Sequence, residues 1–399
     1  MKFNNISNRP TAGTEIYDRN FVRLDLTHVG GGGEADVFTC PQRPGQVVKV
    51  YRTDLVAGKE RRQDIADRLQ ALASKRMLAN SPSFAWPVEA VYEKGGNLAG
   101  YIMRRIPEGY VRLTSLFGGV KAVKHAFPNW TRRDLAETAL NFVATIQKLQ
   151  VNGVMPVDWN PQNFLVDASH HVVCIDCDSY QVYDGSGKCF TSSAYFESMA
   201  APELLWNPGL KGQPRTEAQT CWSVALMVYR LLMAGMHPFQ YVDESGGTVA
   251  ASVVDNIKAG MCPLGYGAGC RFAPVWAPLW SYLTGKLKDM FITTFRREDN
   301  HGWGDPAFRA PLEMQHAEIK RFIYEMGRMP QRAMLEPSDL KSNEYLRPQM
   351  SDAPQMFSAH TDFRPNANQQ HGFGHAHPPR FFGGHEGPRY SGHNYNYGN

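Results

Sequence analysis

Two neighbouring stretches of the chain, VDWNPQNFLV at residues 157–166 and VVCIDCD at residues 172–178, decide which fold we expect. Each stretch joins a short apolar strand pattern to acidic or amide side chains. Asn163 stands immediately before the first strand pattern, and Asp176 follows the second. Because only one strand, a turn and a second strand separate Asn163 from Asp176, we expect these two side chains to meet at one end of a hairpin.

The residue types in these stretches suit chemistry on a phosphate ester. A carboxylate such as Asp158 can accept a proton from a hydroxyl group, and an amide oxygen such as that of Asn163 can coordinate Mg²⁺. Mg²⁺ that is held between triphosphate oxygens needs few protein ligands and prefers carboxylates, which makes Asp176 a candidate ligand. The alternative interpretation of the 158–163 loop is turn chemistry, since Asx residues around a proline also stabilise turns.

Further upstream, four glycines at residues 30–33 lie between two strand patterns. Glycines let the backbone approach phosphate oxygens closely and point N–H groups at them, although a glycine run is also typical of a flexible turn. The sequence has no G-x-x-x-x-G-K-[ST] motif, which excludes a Walker-type phosphate loop. Lys49 is the one charged residue in the apolar strand pattern at 47–51. A strand lysine usually points to solvent, but one that follows a glycine-rich hairpin can also reach phosphates.

The composition is that of a globular protein. The chain has 399 residues, of which 43% are hydrophobic and 20% charged, and these values exclude collagen-like, coiled-coil and wholly disordered proteins. The formal net charge of +4 is too small to indicate nucleic-acid binding by itself. No secretory signal and no apolar run long enough to cross a membrane are visible. We therefore predict a cytoplasmic protein without nucleic-acid or membrane partners.

The seven cysteines are scattered along the chain, which favours reduced thiols. Cys174 and Cys177 form a C-x-x-C pattern, but no second pair stands at zinc-ligand spacing. We therefore interpret Cys174 and Cys177 as small apolar residues of a buried strand rather than as a metal site.

The chain divides into three differently patterned segments. Strand patterns dominate up to about residue 97, with one helical pattern over 56–78. Helical patterns dominate from about residue 111 to about 326, and a capping box at Thr131 and Asp134 opens the first long helix. After about residue 329, Pro, Gly, Asn, Gln and His replace the aliphatic residues. Such a segment cannot bury enough apolar area to offset its ordering entropy, so we expect a solvated, disordered tail.

Taken together, the chain resembles the eukaryotic-like protein kinase superfamily over about residues 21–327. Six segments carry the resemblance in the kinase order: a glycine loop at 30–37, a lysine strand at 47–49, a catalytic loop at 158–163, the D-F-G position at 176–178, an A-P-E motif at 201–203 and a Pro-Phe pair at 238–239. The sequence is most similar to bacterial kinases with D-x-N-P-x-N loops and I-D-x-D-S strand ends. Such kinases are often found alongside a PP2C-type phosphatase and a von Willebrand A-type protein, which are the partners that the resemblance implies.

The resemblance implies an α+β, bilobal protein kinase-like fold, with a small β-rich N-lobe that contains one helix and a larger helical C-lobe. We place an N-terminal extension at 1–20, the N-lobe at 21–106, the C-lobe at 107–328 and the disordered tail at 329–399.

It also implies ATP and Mg²⁺ as cofactors and assigns roles position by position. Asp158 is the expected catalytic base, Asn163 and Asp176 the expected Mg²⁺ ligands, and Lys49 the expected partner of the α- and β-phosphates. The resemblance thus implies three catalytic residues, Asp158, Lys49 and Asn163. The other candidate ATP-binding residues lie in the glycine loop, near the gatekeeper and in the hinge: Gly30, Gly31, Gly32, Gly33, Val37, Met103 and Arg105. Residues 179–200 are the expected activation segment.

Some functional positions depart from the kinase pattern. Pro156-Val157 replaces His-Arg, which removes the arginine that usually pairs with a phosphorylated activation segment. Asn160 replaces the lysine that is usual in Ser/Thr kinases, and Thr220 stands where an Asp normally anchors the catalytic loop. Asp178 replaces the D-F-G glycine, which removes conformational freedom but offers a second carboxylate.

The acid that pairs with Lys49 is not obvious from the sequence. Glu60, Asp64 and Asp67 all lie on the predicted helix at 56–78, and we favour Asp67.

We predict an ATP- and Mg²⁺-dependent protein kinase that transfers the γ-phosphate to Ser or Thr hydroxyls of protein substrates, including its own. One alternative is a small-molecule phosphotransferase of the aminoglycoside-kinase type, which the A-P-E motif and the Pro-Phe pair disfavour. The other is a pseudokinase, a nucleotide-binding signalling scaffold, which the retained polar residues disfavour: Lys49, Asp158, Asn163 and Asp176.

Overall fold

The computed structural model describes six ranges of the chain: 15–52, 56–243, 251–264, 270–271, 276–295 and 305–335. Within these ranges, strands dominate up to residue 112 and helices dominate afterwards. This is the bilobal α+β architecture that the sequence predicts.

The N-terminal lobe is one antiparallel sheet with two helices. Its strands are β1 (Ile16–Tyr17), β2 (Thr27–Gly31), β3 (Ala35–Thr39), β4 (Gln46–Tyr51), β5 (Glu89–Glu93) and β6 (Leu98–Arg104). They are hydrogen-bonded in the order β1-β5-β6-β4-β3-β2, so the strand that carries Lys49 lies inside the sheet. Between β4 and β5, the predicted helix at 56–78 is two helices, α1 (Lys59–Ala73) and α2 (Arg76–Asn80).

Both predicted limits of the folded region need correction. Ile16 in β1 is paired with Glu93 in β5, so the sheet starts before residue 21, where we placed the N-lobe. At the other end, Leu335 is buried among core residues, so the packed chain extends beyond residue 329. Residues 336–399 of the predicted tail lie outside the described residues.

The C-terminal lobe contains eight helices and several short strands among the described residues. The strands are β7 (Val111–Arg112), β8 (Val154–Met155), β9 (Phe164–Val166), β10 (Val172–Cys174), β11 (Gln181–Tyr183), β12 (Cys189–Phe190), β13 (Val242–Asp243) and β14 (Cys270–Arg271). The helices are α3 (Val120–Ala126), α4 (Arg132–Val151), α5 (Pro202–Trp206), α6 (Glu217–Leu232), α7 (Val253–Ala259), α8 (Ala277–Ser281), α9 (Gly285–Phe295) and α10 (Leu312–Arg328).

The core of this lobe is built on α4, α6 and α10, which pack against one another. The capping box that the sequence predicts at the start of α4 is present: the Thr131 amide donates to the Asp134 carboxylate at 2.6 Å, and Thr131 Oγ1 accepts from the Arg133 amide. Thirteen of the sixteen residues of α6 are buried, which explains why this helix is apolar on nearly all sides. The loop at 156–163 and the β9–β10 hairpin lie on this rigid support.

Two polar contacts hold the end of the expected activation segment against this core. Arg309 donates two hydrogen bonds to the Glu203 carboxylate, each of 2.8 Å, and its side chain is almost fully buried. His237 is buried as well: Nε2 donates to the Ser198 carbonyl oxygen at 2.8 Å, and Nδ1 accepts from the Phe239 amide at 3.2 Å. Both contacts fix the chain on either side of residue 200.

Removing the Arg309 guanidinium should therefore destabilise the fold strongly. We expect Arg309→Met to lower the free energy of unfolding by roughly 3 kcal/mol, because the Glu203 carboxylate loses its charge partner in a largely buried position. Arg133→Met, which breaks an exposed pair with Glu137 on α4, should cost at most about 0.5 kcal/mol. Chemical denaturation measures both, and equal losses in the two variants would contradict this account.

Because His237 is buried, we expect the stability of the fold to decrease as the pH is lowered. Burial, assisted by the nearby Arg230 charge, lowers the pKa of His237 to about 3 from an ordinary value of 6.5. The unfolded chain therefore binds a proton below pH 6.5 that the folded chain does not, so stability is lost as pH falls from 6.5 towards 3. We expect a loss on the order of 2 kcal/mol between pH 7.5 and pH 5. The slope should flatten in His237→Gln, and an unchanged slope in that variant would refute the assignment.

Candidate active site

The polar residues before β9 and after β10 lie at the same end of the hairpin, as their spacing predicts. Phe164 faces Cys174 in the antiparallel hairpin, and the Ile175 amide donates to the Asn163 carbonyl oxygen at 2.9 Å. Asn163 and Asp176 therefore flank the open end of the hairpin, one on each strand.

The loop before this hairpin holds Asp158 against the Asn163 side chain. Asn163 Nδ2 donates to Asp158 Oδ2 at 3.2 Å. Asn160 caps the 3₁₀ turn that contains Asn163, since its side chain accepts from the Gln162 amide at 3.0 Å. Burial, together with the charge of Asp176, raises the pKa of Asp158, whereas hydrogen bonds from the Asn160 backbone and the Asn163 amide act against this. A carboxylate with a raised pKa is a better proton acceptor.

Lys49 reaches this end of the hairpin from β4. Its Nζ donates to Asp176 Oδ1 at 3.0 Å and to Asp178 Oδ1 at 2.9 Å. The lysine is nearly fully buried, with 6% of its surface exposed, so its charge needs partners within the protein. The fold therefore brings Lys49 to Asp176 at the end of the hairpin where Asn163, which holds Asp158, also lies.

Two tyrosines of the sheet complete a ring of donors around Asp178. Tyr51 Oη donates to Asp178 Oδ2 at 2.8 Å, and Tyr101 Oη donates to Asp178 Oδ1 at 2.7 Å. The two aspartates differ in exposure, because the side chain of Asp178 is 10% exposed and that of Asp176 is 51% exposed. Asp178 is thus enclosed by the protein, whereas Asp176 borders solvent.

The charges of this cluster stabilise one another. Burial alone would raise the pKa of Asp178, but Lys49 and the two tyrosine hydroxyls lower it to about 2. Burial alone would lower the pKa of Lys49, but Asp178 and Asp176 raise it above its ordinary value. Lys49 and Asp178 are therefore both charged at neutral pH.

The prediction that Asp67 pairs with Lys49 is wrong. Asp67 accepts a hydrogen bond from Gln63 at 2.7 Å, one turn earlier on the outer surface of α1. The same helix turns Ile65 and Leu69 towards the sheet, which leaves its acids on other faces. α1 instead contacts the expected activation segment, since Arg68 donates to the Thr191 carbonyl oxygen at 3.2 Å.

Besides Lys49, the predicted nucleotide-binding residues lie on β2, in the β2–β3 turn, on β3 and β6, and just after β6. The β2–β3 hairpin that carries the four glycines is paired through β3 with the strand of Lys49, and a Cβ atom would meet open space at Gly30, Gly32 and Gly33. Met103 is buried in the same apolar cluster as Val47 and Ala35, with Val37 packed against it. The Arg105 amide donates to the Gly45 carbonyl oxygen at 3.0 Å, so this N–H group is already used.

Comparison with known proteins finds protein kinases among the similar proteins. No family model matches the chain. Protein kinase YegI of Escherichia coli strain K12 is 24% identical over 301 residues, which are 74% of this chain and 45% of YegI, and the YegI protein of strain O157:H7 is equally similar. A solved structure, the ROP18 kinase domain in complex with AMP-PNP and sucrose, superposes with a TM-score of 0.50 at 16% identity, covering 81% of this chain and 87% of that domain. The chain is similar in sequence to protein kinases and has the fold of a kinase domain.

A further relative matches a shorter part of the chain. The Arabidopsis thaliana serine/threonine-protein kinase AtPK1/AtPK6 is 28% identical over 128 residues, which are 32% of this chain. The chain spans about half the length of the Escherichia coli kinases that it matches.

The segment at 176–178, which resembles the D-F-G motif, begins with an uncommon backbone conformation. Asp176 adopts the left-handed conformation, with φ 56° and ψ 37°, which is uncommon for a residue other than glycine but tolerated by Asp. The following 3₁₀ turn, Cys177–Ser179, brings Asp178 back to Lys49. The residue that replaces the D-F-G glycine is therefore built into the site.

The loop at 158–163 is held by apolar packing. Thr220 Oγ1 is buried and has no hydrogen-bond partner among the described residues, so it does not substitute for an anchoring carboxylate. Val157 and Trp159 are buried instead, and the Trp159 ring stacks on Phe164 at 6.0 Å between centroids.

The pairing of Asp178 with Lys49, and the hydrogen bonds from Tyr51 and Tyr101 to Asp178, were not predicted from the sequence. A signal was present, since Lys49 and Tyr51 are two residues apart on one strand and therefore share a face of the sheet. Tyr101 stands directly opposite Lys49 on β6, but this register could not be deduced without the fold.

Within the described ranges, no helix is both long and apolar enough to cross a membrane, and no group of three or more His, Cys, Asp or Glu side chains is arranged to hold a metal ion. Cys174 and Cys177 are free thiols without exposed surface. Burial raises the pKa of Cys174 to about 12 and that of Cys177 well above its ordinary value.

These thiols should be unreactive in the folded protein. We expect a maleimide or iodoacetamide to label the partly exposed Cys189 before Cys174 and Cys177, because alkylation requires an accessible thiolate. Peptide mass spectrometry with and without denaturant measures the order of labelling. Labelling of Cys174 or Cys177 in the native protein at the rate of Cys189 would show that these two thiols are accessible to solvent, which would contradict the prediction.

Proposed function

We propose that this chain is an ATP- and Mg²⁺-dependent protein kinase that phosphorylates Ser or Thr hydroxyls, its own included. The observation that carries the proposal is the convergence of Lys49 and Asp176, 3.0 Å apart, with Asp158 and Asn163, 3.2 Å apart, on the two sides of one hairpin end. Positioning and charge neutralisation provide most of the catalysis of phosphoryl transfer, and these are the groups that such catalysis requires.

The nucleotide would lie beneath the sheet. The apolar cluster that contains Met103 has partly buried residues at its edge, among them Val37, Ile106 and Ile175, and these offer flat apolar contacts for an adenine ring. The glycines at 30–33 would cover the phosphates, and Lys49 would bind their oxygens. A kinase domain with a similar fold was solved in complex with AMP-PNP, which supports nucleotide binding here.

The residues present fit a magnesium ion. Asn163 uses its Nδ2 group to donate to Asp158, so its amide oxygen is the atom left for coordination. Asp176 provides a half-exposed carboxylate beside it. Two oxygen ligands are sufficient when phosphate oxygens and water complete the shell. The ion would neutralise charge on the phosphates.

Asp158 would orient the acceptor hydroxyl and take its proton. Its carboxylate is held by Asn163, and burial raises its pKa, which makes it a better proton acceptor. We extend the proposal to an activation segment at 179–200, lobes that meet near residue 106, a cytoplasmic location, and partners of the PP2C-phosphatase and von Willebrand A types.

The test is transfer of radiolabelled γ-phosphate by the purified chain to itself and to a generic protein acceptor, with and without Mg²⁺. We expect Asp158→Asn to keep ATP affinity within about twofold and to lose at least about 100-fold in kcat. Asp176→Ala should also lose the part of ATP affinity that depends on Mg²⁺. Asp25→Asn, at an exposed position before β2 where the carboxylate accepts a hydrogen bond from Gln42, is the matched control and should behave as the wild type.

Each other outcome would reject part of this proposal. Wild-type transfer by Asp158→Asn would show that another group accepts the proton. Nucleotide binding without any transfer would identify a scaffold, and transfer only to small hydroxylated molecules would identify a small-molecule phosphotransferase. Phosphoamino-acid analysis of the product decides between Ser or Thr and Tyr as the acceptor.

A further inference from the structure

The helix that borders the site provides no acid to Lys49. Glu60 and Asp64 on α1 are exposed, and Asp67 is hydrogen-bonded to Gln63. A buried ammonium group requires a negative partner close to it. The acids that satisfy this requirement, Asp176 and Asp178, both come from the segment after β10.

The two acids are not equivalent. Asp178 is enclosed by three donors, namely Lys49 Nζ, Tyr51 Oη and Tyr101 Oη, at 2.7 to 2.9 Å. Asp176 receives one hydrogen bond from Lys49, and half of its side-chain surface is exposed. Asp178 therefore has a fixed position in the protein, whereas Asp176 can turn towards a ligand at the mouth of the site.

The backbone around Asp178 is fixed as well. Its neighbour Cys177 has no exposed surface, and Tyr180 is 1% exposed within the core of the C-terminal lobe. On the opposite side, Lys49 and Tyr51 belong to a strand inside the sheet, and Tyr101 is paired with Lys49 on β6. The cluster thus joins two rigid parts of the molecule without using α1.

We propose that Asp178 is the positioning residue for Lys49, held by Tyr51 and Tyr101, and that it orients the lysine for the nucleotide phosphates while Asp176 is left for the metal ion. This inference rests on the proposed function, because it assigns a role within the same nucleotide site. The position of α1 then does not determine whether Lys49 is correctly placed. Asp178 acts through Lys49 and does not itself contact the nucleotide.

The experiment compares Asp178→Asn with Asp67→Asn in the full chain. Asp178→Asn keeps the size of the side chain and removes its charge, so we expect the Kd for Mg²⁺·ATP and the KM for ATP to rise about 10- to 100-fold. Asp67→Asn is matched in chemistry and lies on α1, and it should stay within about twofold of the wild type. Equal effects of the two variants, or wild-type nucleotide affinity in Asp178→Asn, would overturn the proposal.

A double-mutant cycle separates positioning from simple structural support. Lys49→Met should weaken Mg²⁺·ATP binding, and adding Asp178→Asn to it should change the Kd by less than about twofold, because the residue acts only through the lysine. The second substitution should also raise the melting temperature of Lys49→Met, since it removes an uncompensated buried charge. Additive losses of affinity would overturn the proposal.

If Asp178→Asn does not fold, a less disruptive variant tests the same proposal. The double variant Tyr51→Phe/Tyr101→Phe retains both charges and removes two hydrogen bonds to Asp178, and it should raise the Kd for Mg²⁺·ATP by about 3- to 10-fold. An unchanged Kd would contradict the proposal that the two tyrosine hydroxyls hold Asp178 in position for Lys49. Since these measurements use binding, they remain valid if the wild type transfers no phosphate, in which case the proposed function fails separately.

Discussion

A lysine ammonium group with 6% exposure cannot remain charged in a protein without a nearby anion, and this requirement organises the site. Lys49 satisfies it with two carboxylates from the segment after β10, more than a hundred residues away in the chain. The ion pairs therefore link the sheet of the N-terminal lobe to the hairpin of the C-terminal lobe. The same contacts bring Asp176 to the end of the hairpin where Asn163 and Asp158 already lie.

The close approach of β4 and β6 in the sheet positions the tyrosine and lysine side chains of this cluster. Gly100 on β6 faces the Lys49 carbonyl group so closely that a Cβ atom would overlap it. The absence of a side chain at this position lets β6 approach β4, and the next residue, Tyr101, then reaches Asp178 with its hydroxyl group. One glycine in a strand interior thus determines the strand spacing on which the donor ring depends.

The C-terminal lobe shows a different balance between polar and apolar support. The loop of Asp158 rests on buried Val157 and Trp159 rather than on an anchoring carboxylate. The chain around the end of the expected activation segment is held by polar contacts, through Glu203 with Arg309 and Ser198 with His237. The Asp158 loop is thus positioned by apolar packing, and the chain near residue 200 by hydrogen bonds.

What the sequence determined by itself was local in the chain. The capping box of Thr131, the adjacency of Asn163 and Asp176, and the order of the motifs all follow from short spacings, because turns, caps and hairpins are set by residues a few positions apart. The bilobal fold followed from that order. The ends of the folded region were placed less well, since a two-residue strand such as β1 has too few residues for a pattern.

Only the tertiary structure decided which acid neutralises Lys49. The sequence offered three candidates, Glu60, Asp64 and Asp67, and none of them is the partner. The outcome depended on which face α1 packs against the sheet and on the left-handed turn at Asp176 that redirects Asp178. Neither is encoded in a local pattern, because both result from the packing of elements that are distant in sequence. A buried charge selects the partner that the assembled fold brings to it, so its identity appears only when the chain has folded.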